Sequence, residues 1–228
     1  MSAIMRYAIY WLPDGALGAW GEGWLGWSMQ QGRALAQPDI VGLPRPLPDL
    51  TRAASTYGLH ATIKPPFRLA PGQSAPALLA AFQAFCAITP QVNAGALGLS
   101  NLDGFLALTP QGNTGALHAM AAQVVTHFDP FRAPASDAEL ARRRASGLSP
   151  NQEAMLTRWG YPYVMQDFRF HVTLTGRVSA QDSAVLQGVL APILQPLLPD
   201  PLQISQLALV GEMQDGGFRT LAHHGLSG

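Results

Sequence analysis

One short pattern, a histidine and a threonine separated by a single residue, occurs twice, each time inside a run that predicts a β-strand. The first copy lies in YGLHATIKPPF (residues 57–67) and the second in FRFHVTLTGRV (residues 168–178). Each strand is followed by an apolar helical pattern, residues 74–88 or 179–194, and by two strands around a turn, NLDG or QDGG. Phe105 and Phe218 open the last strand of each copy, 45 and 47 residues after the histidine. This repetition predicts two related β-α-β-β units about a pseudo-twofold axis.

The pattern predicts one bilobal α+β domain covering residues 1–228, with antiparallel sheets lining a central cleft. Lobe 1 is expected over about 50–130 and lobe 2 over about 161–224, with an N-terminal strand, 4–12, joining one of the sheets. Between the lobes, about 135–160, we expect two helices, since Ser136 and Ser149 each open a capping box. Three tryptophans, Trp20, Trp24 and Trp27, have the spacing of one buried helix face.

Composition narrows the class of partner. Lys+Arg and Asp+Glu are 14 each, so no global field attracts an extended nucleic acid or an anionic membrane, and any anionic ligand must be held locally. The single cysteine, Cys86, lies in an apolar run and fits a reducing compartment. No apolar stretch has the length of a membrane span, and the N-terminal run is too short for a signal peptide. We expect a cytoplasmic monomer.

The two histidines carry the chemistry that the pattern predicts. Strand alternation places His60, Thr62 and Lys64 on one face, opposite Ala61 and Ile63. The second copy places His171, Thr173 and Thr175 on one face in the same way. Two imidazoles facing each other can serve as the base and the acid of an in-line displacement at phosphorus, and the threonine hydroxyls can donate to phosphate oxygens. A pseudo-symmetric site leaves open which histidine is the base.

Other interpretations of these residues stay open at this point. A lone His-x-Thr is commonly structural, and two facing histidines can also ligate zinc, although no further ligand lies at suitable spacing. Lys64 is either a cleft cation or a solvent-facing strand residue. The run Arg142–Arg144 either reaches a second phosphate or, as is typical of such runs, forms a solvated helix face. Further candidates are arginines for a second phosphate and tyrosines for a sugar, with core packing as the alternative for the tyrosines: Arg6, Arg169, Tyr57, Tyr161 and Tyr163.

HATIKPPF and HVTLTG resemble the two signature strands of the two-histidine (2H) phosphoesterase superfamily. With LSPNQEAMLTRWGYPYV they more narrowly resemble its branch labelled for phosphonate metabolism. The resemblance covers about residues 6–220 and implies a bilobal, metal-independent fold, with the motif positions held by His60, Thr62, His171 and Thr173. It implies action on cyclic phosphates and, through association with carbon–phosphorus lyase pathways, on 5-phosphoribosyl 1,2-cyclic phosphate.

We therefore expect a cyclic phosphodiesterase without metal or cofactor, acting on a small phosphorylated substrate, in hydrolysis or in the reverse ligation. The catalytic residues are predicted to be His60, Thr62, His171 and Thr173, and the substrate-binding residues Lys64, Tyr57, Arg6, Arg169, Tyr163 and Thr175. The alternatives are an RNA 2',3'-cyclic phosphodiesterase or 2'-5' ligase-type enzyme, and a non-catalytic module that binds a nucleotide or an RNA end.

Overall fold

The structure, a computed structural model, describes residues 3–214 and 216–228. Its strands are β1 (Ile4–Trp11), β2 (Trp27–Ser28), β3 (Arg33–Ala34), β4 (Ala61–Phe67), β5 (Val92–Asn93), β6 (Ala96–Leu102), β7 (Phe105–Gln111), β8 (Val172–Thr173), β9 (Gln203–Ile204), β10 (Gln206–Met213) and β11 (Phe218–Gly225). Its helices are α1 (Gly15–Leu25), α2 (Leu47–Ser55), α3 (Ala75–Ile88), α4 (Gly115–His127), α5 (Asp137–Arg144), α6 (Pro150–Trp159) and α7 (Ala180–Leu194). The α+β class is confirmed.

Both repeated units form in the predicted order, as β4-α3-β6-β7 and β8-α7-β10-β11. Local sequence signals explain why the two helices begin where they do. The hydroxyls of Ser74 and Ser179 each accept a hydrogen bond from a backbone N–H three residues later, which satisfies one of the free donors of the first turn. The first hairpin turns at NLDG; the second falls at QDGG, whose Asp215 lies outside the described residues.

A seven-stranded antiparallel sheet joins the two units in the order β11-β10-β1-β4-β8-β7-β6. Each histidine strand lies on the same side of the sheet as the hairpin of the other unit: β8 pairs directly with β7, while β1 stands between β4 and β10. The two histidine strands meet at the centre, where Ala61 pairs with Val172. This exchange of hairpins places both copies of the motif side by side.

The main core lies on one face of the sheet, against α3, α4 and α7. Alternation directs Ile9, Ala61 and Val172 into this layer, where each is fully buried. Leu78, Phe82, Leu186 and Leu190 of the helices are also fully buried there. Burying each large apolar side chain contributes about 1.5–3 kcal/mol, so this face fixes the register of the central strands. The opposite face is left for polar side chains.

The predicted insert forms two helices, α5 and α6, and each begins with a complete capping box, at Ser136 and at Ser149. Gly160 ends α6 in the left-handed region at φ 73°. The predicted tryptophan face is wrong in one member: α1 ends at Leu25, so Trp27 lies in β2 and donates its indole N–H to the Phe218 carbonyl at 2.9 Å. Gly26, at φ 72°, ends that helix one residue before Trp27.

None of the helices within residues 3–214 and 216–228 combines the length and the apolar character that a membrane span requires.

Candidate active site

His60 is held at the start of β4 by bonds on both ring nitrogens. Its Nδ1 lies 2.9 Å from the Gly58 carbonyl oxygen, and its Nε2 lies 3.1 Å from the Thr62 hydroxyl. Gly58 has φ 69°, a conformation that side chains rarely adopt, and an added Cβ would lie 2.6 Å from Met29. The turn that orients this imidazole therefore depends on the glycine of YGLH.

His171 repeats the first of these contacts. Its Nδ1 lies 2.8 Å from the carbonyl oxygen of Arg169, again the residue two positions earlier, and its ring meets Phe105 edge-on at 5.8 Å. A carbonyl oxygen only accepts, so Nδ1 carries the hydrogen in both rings. In the neutral form, Nε2 of each histidine is then the acceptor. The duplication thus extends from the sequence to the tautomer.

The sheet brings the two histidines to neighbouring positions on one face. Ala61 and Val172 pair across the central strands and point into the helix layer, so His60, Thr62, His171 and Thr173 lie on the other face. A positive charge on His171 lowers the pKa of His60. The predicted catalytic residues are therefore brought together, with both threonines half-buried.

Burial is the main influence on the pKa of His60, which it lowers to about 4; the charge of His171 lowers it further, and the bond to Gly58 opposes both. Tyr10 covers the ring in a stack at 3.9 Å between centroids, and Tyr57 lies at 6.3 Å. At neutral pH the His60 imidazole is therefore uncharged and prepared to accept a proton at Nε2.

Tyr10 is a site residue that the sequence analysis missed. It is buried in β1 and pairs with Thr62 of β4, so the two side chains share the face that carries His60. The sequence held a signal for this residue in β1, because Arg6 and Tyr10 are four positions apart and strand alternation places both on the same face. Burial raises the pKa of the Tyr10 hydroxyl well above its ordinary value, so it stays protonated.

Lys64 is a correction to the predicted cleft residues. A β-bulge interrupts the pairing of β4 with β1, since Tyr10 pairs with Thr62 but Ile9 pairs with Lys64. The extra residue, Ile63, shifts the alternation and turns Lys64 into the helix layer. There the ammonium donates to the Val125 carbonyl near the C-terminus of α4 at 3.0 Å, and burial lowers its pKa to about 8.

Thr175 is a second correction. Its side chain is buried, the hydroxyl donates to the Gly176 carbonyl at 2.8 Å, and it accepts from the Leu106 backbone N–H at 3.0 Å. β8 ends at Thr173, so the alternation that predicted a cleft position does not continue to Thr175. The hydroxyl secures the strand end against β7.

The remaining predicted binding residues lie at different distances from the histidines. Arg169 contributes its carbonyl, while its guanidinium is exposed and pairs with Asp103 at 3.2 Å. Arg6 pairs with Glu212, opposite it on β10, and this bond is the first cause of its raised pKa. Tyr163 is 43% exposed and meets Tyr161 edge-on at 5.7 Å. Tyr57 lies beside His60, and its role in substrate binding stays a prediction.

The helical insert also reaches this face, through one member of the arginine run that was a candidate for binding a second phosphate. Arg143 of α5 lies over the Tyr161 ring at 4.5 Å. Tyr57, which lies beside His60, raises the pKa of both Tyr161 and Tyr10, so these rings are close enough to interact electrostatically. The predicted solvated run is therefore divided, because Arg143 turns inward while Arg142 and Arg144 are exposed. Within residues 3–214 and 216–228, no group of three or more His, Cys, Asp or Glu is arranged to hold a metal ion.

A family model described as "Protein of unknown function (DUF1045)" matches residues 62–219, which is more than half of the sequence. The chain is a member of the DUF1045 family. The matched range includes Thr62, His171 and Thr173, and it begins just after His60.

Two curated proteins named "Ribose 1,5-bisphosphate phosphokinase PhnN" resemble this DUF1045 chain. The protein of Janthinobacterium sp. (strain Marseille) is 40% identical over 187 residues, which is 81% of this chain and 41% of that protein. The protein of Laribacter hongkongensis (strain HLHK9) is 33% identical over 180 residues, 78% of this chain and 42% of that protein. The chain thus spans about two fifths of the length of these relatives.

Among solved structures, E. coli LigT complexed with NADP+ aligns over 99% of this chain and 100% of that chain. The TM-score is 0.40 and the sequence identity 12%, values at which the alignment carries no argument about this DUF1045 chain.

Proposed function

We propose that this protein is a metal-independent cyclic phosphodiesterase that opens a cyclic phosphate on a small sugar or nucleotide. The observation that carries the proposal is the matched pair of histidines on the two central strands. Each ring is fixed by an Nδ1–H bond to the carbonyl two residues before it, which leaves each Nε2 for proton transfer. A structural histidine pair gives no reason for the same tautomer to be set twice on one face.

The geometry supports a division of roles between the two rings. His60, with a pKa near 4, is neutral at pH 7 and acts as the base. It takes a proton from water as the water oxygen forms a bond to phosphorus. The bond from phosphorus to one ring oxygen breaks, and His171 protonates that oxygen as the acid. The product is an acyclic phosphomonoester.

The threonine hydroxyls stabilise the charge that develops on phosphorus. In the free site the Thr62 hydroxyl faces Nε2 of His60 at 3.1 Å, so its hydrogen turns to a non-bridging oxygen when the phosphate binds. Thr173 supplies the corresponding donor from β8. Donors placed in advance at the transition-state charge contribute about 10²–10³-fold each to the rate of the chemical step.

We further propose 5-phosphoribosyl 1,2-cyclic phosphate as the substrate. If water attacks phosphorus and the sugar 2-oxygen leaves, the product is ribose 1,5-bisphosphate, the compound that appears in the name of the two relatives. The kinase activity in that name is not proposed for this chain. Its single lysine, Lys64, precedes a proline and opens no GxxxxGK[ST] phosphate-binding loop.

The test is a panel of cyclic phosphates followed by phosphorus NMR, with wild type, His60→Ala and His171→Ala. The panel holds 5-phosphoribosyl 1,2-cyclic phosphate, mononucleoside 2',3'-cyclic phosphates and an RNA oligonucleotide with a 2',3'-cyclic end. We expect ring opening of the sugar phosphate and a loss of about 10²–10⁴-fold in each variant. His223→Ala, an exposed strand histidine, is the matched control.

Three outcomes would redirect the proposal. Preference for the oligonucleotide would favour an RNA-end enzyme. Tight binding without ring opening would favour a binding module. Near wild-type turnover in either alanine variant would exclude the two-histidine mechanism, provided that circular dichroism shows the variant folded.

A further inference from the structure

Four arginines line a small pocket between the end of β4, the start of β1 and the helical insert. The pocket has a volume of about 30 Å³, which is too small for a nucleobase. Its basic residues are Arg6, Arg68, Arg132 and Arg143. Three of them have a carboxylate partner, since Arg6 pairs with Glu212, Arg68 with Glu139 at 2.8 Å, and Arg132 with Asp129 at 2.8 Å.

Arg143 differs from the other three. Among the residues that the structure describes, no carboxylate lies within ion-pair distance of its guanidinium, which rests on the Tyr161 ring at 4.5 Å. Burial is the main cause of its lowered pKa; Arg142 and Arg6 lower the pKa further, whereas Tyr161 and Glu139 oppose the shift. A half-buried guanidinium with no carboxylate in direct contact is available to an anion from outside the chain.

The one acidic side chain in the pocket, Glu139, raises the pKa of Arg143 from a distance but makes its direct contacts elsewhere. Both Glu139 oxygens accept from Arg68, and one also accepts from the backbone N–H of Ser136. These bonds lower the Glu139 pKa to about 2, with Arg68 as the first cause. Its charge is therefore committed to Arg68 and to the start of α5.

The pocket adjoins the histidine face. Arg6 and Tyr10 share one face of β1, roughly 13 Å apart at about 3.3 Å per residue, and Tyr10 stacks on His60. The charge of Arg6 lowers the pKa of Tyr10, and Tyr161, which lies beneath Arg143, raises the same pKa. A ligand with an anionic group in the pocket and a second group at the histidines would therefore lie along this face.

We propose that Arg143, with Arg6 beside it, binds a phosphomonoester of the substrate that is separate from the cyclic phosphate opened by the histidines. The substrate class is then a sugar that carries both groups. The planar guanidinium suits the geometry of phosphate oxygens, and the four arginines give the pocket a basic lining. This inference rests on the proposed function for the cyclic end of the ligand.

The first experiment measures binding alone, so that it does not depend on turnover. Ribose 5-phosphate is titrated by calorimetry into wild type, Arg143→Gln and Arg142→Gln, with ribose as the probe that lacks phosphate. We expect Arg143→Gln to weaken ribose 5-phosphate about 10–100-fold, the effect of losing hydrogen bonds to a charged group. Arg142→Gln removes the same charge from an exposed position of the same helix and should change affinity less than about 3-fold.

The second experiment compares adenosine 2',3'-cyclic phosphate with and without a 5'-phosphate. We expect Arg143→Gln to lower kcat/KM for the 5'-phosphorylated compound only, and Arg143→Lys to recover part of the loss. Equal losses on both compounds, or ribose and ribose 5-phosphate binding alike in wild type, would overturn the subsite. Failure to open any cyclic phosphate while the arginine effect on binding persists would instead overturn the proposed function.

Discussion

The assignment of His60 as base and His171 as acid makes a prediction that separates two similar side chains. With a pKa of about 4, His60 is protonated in about one molecule in 1,000 at pH 7, because each pH unit changes the ratio tenfold. As an acid it would forfeit about 4 kcal/mol of its catalytic contribution, whereas as a base it is almost fully in the required neutral form and loses only the basicity that a low pKa costs. The difference favours the role of base.

The assay replaces the leaving oxygen. A phosphodiester with a 4-nitrophenolate leaving group needs no proton for departure, whereas a sugar alkoxide does. We expect His171→Ala to lose about 10²–10⁴-fold on the cyclic sugar phosphate and to recover most of that on the nitrophenyl ester. His60→Ala should be equally impaired on both. Recovery in His60→Ala instead of His171→Ala would refute the assignment, as would an acid limb of kcat/KM near pH 6.5.

The same pKa shift predicts how stability depends on pH. The folded pKa of His60 lies below the unfolded value of 6.5, so the unfolded state binds the proton first and stability falls as pH drops from 6.5 toward 4. Between pH 8 and pH 5 this amounts to about 2 kcal/mol, as an upper value because solvent reaches the half-buried ring. His60→Gln should lose less stability over that interval in urea titrations. An identical loss in both proteins would contradict the lowered pKa.

Three further outcomes are expected. Lys64→Met should keep kcat/KM, because the ammonium binds the Val125 carbonyl on the helix side of the sheet, and a loss of activity would instead indicate that Lys64 acts in the cleft. The lowered Lys64 pKa of about 8 predicts that the unfolding free energy of the wild type rises by about 1.3 kcal/mol from pH 7 to pH 9, and Lys64→Met should abolish this rise. Thr175→Val should cost about 1–3 kcal/mol of stability by leaving the Leu106 N–H unpaired, with activity retained, whereas Thr173→Val should lower kcat at constant stability. EDTA should leave turnover intact, and an activity restored by zinc would favour the metal site instead.

The features that sequence reasoning predicted are those that depend on near neighbours. Ser74, Ser136, Ser149 and Ser179 each act on a backbone N–H within the next three residues, so their helix starts can be read directly. The NLDG hairpin and the opposite faces of His60 and Ala61 are local in the same sense. Duplication then supplied the long-range information that a single copy lacks.

The features that it missed depend on partners far along the chain. The bulge at Ile63 arises only when β4 pairs with β1, and a period of two predicts the wrong face for Lys64 beyond that point. The inward turn of Arg143 likewise depends on Tyr161, which lies beyond the next helix. A run of basic residues has the same sequence pattern whether all its side chains are exposed or one of them packs on a distant aromatic ring, so the pattern alone does not predict such a contact.

The exchange of hairpins explains why duplication yields a site and not merely two similar lobes. If each unit had kept its own hairpin, the histidine strands would belong to separate sheets, and the distance between the rings would depend on how two bodies dock. Here β4 and β8 are neighbours in one sheet, with Ala61 opposite Val172, so backbone pairing sets the separation. In that register His60 lies opposite Thr173 and His171 opposite Thr62, so the two histidines are diagonal neighbours about 7–8 Å apart, which leaves room for one phosphate between the imidazoles in the proposed mechanism. The central pair is short, with a single register contact, and the full burial of Ala61 and Val172 under the helices holds it in place. Precision at the polar face is thus set by packing on the apolar one.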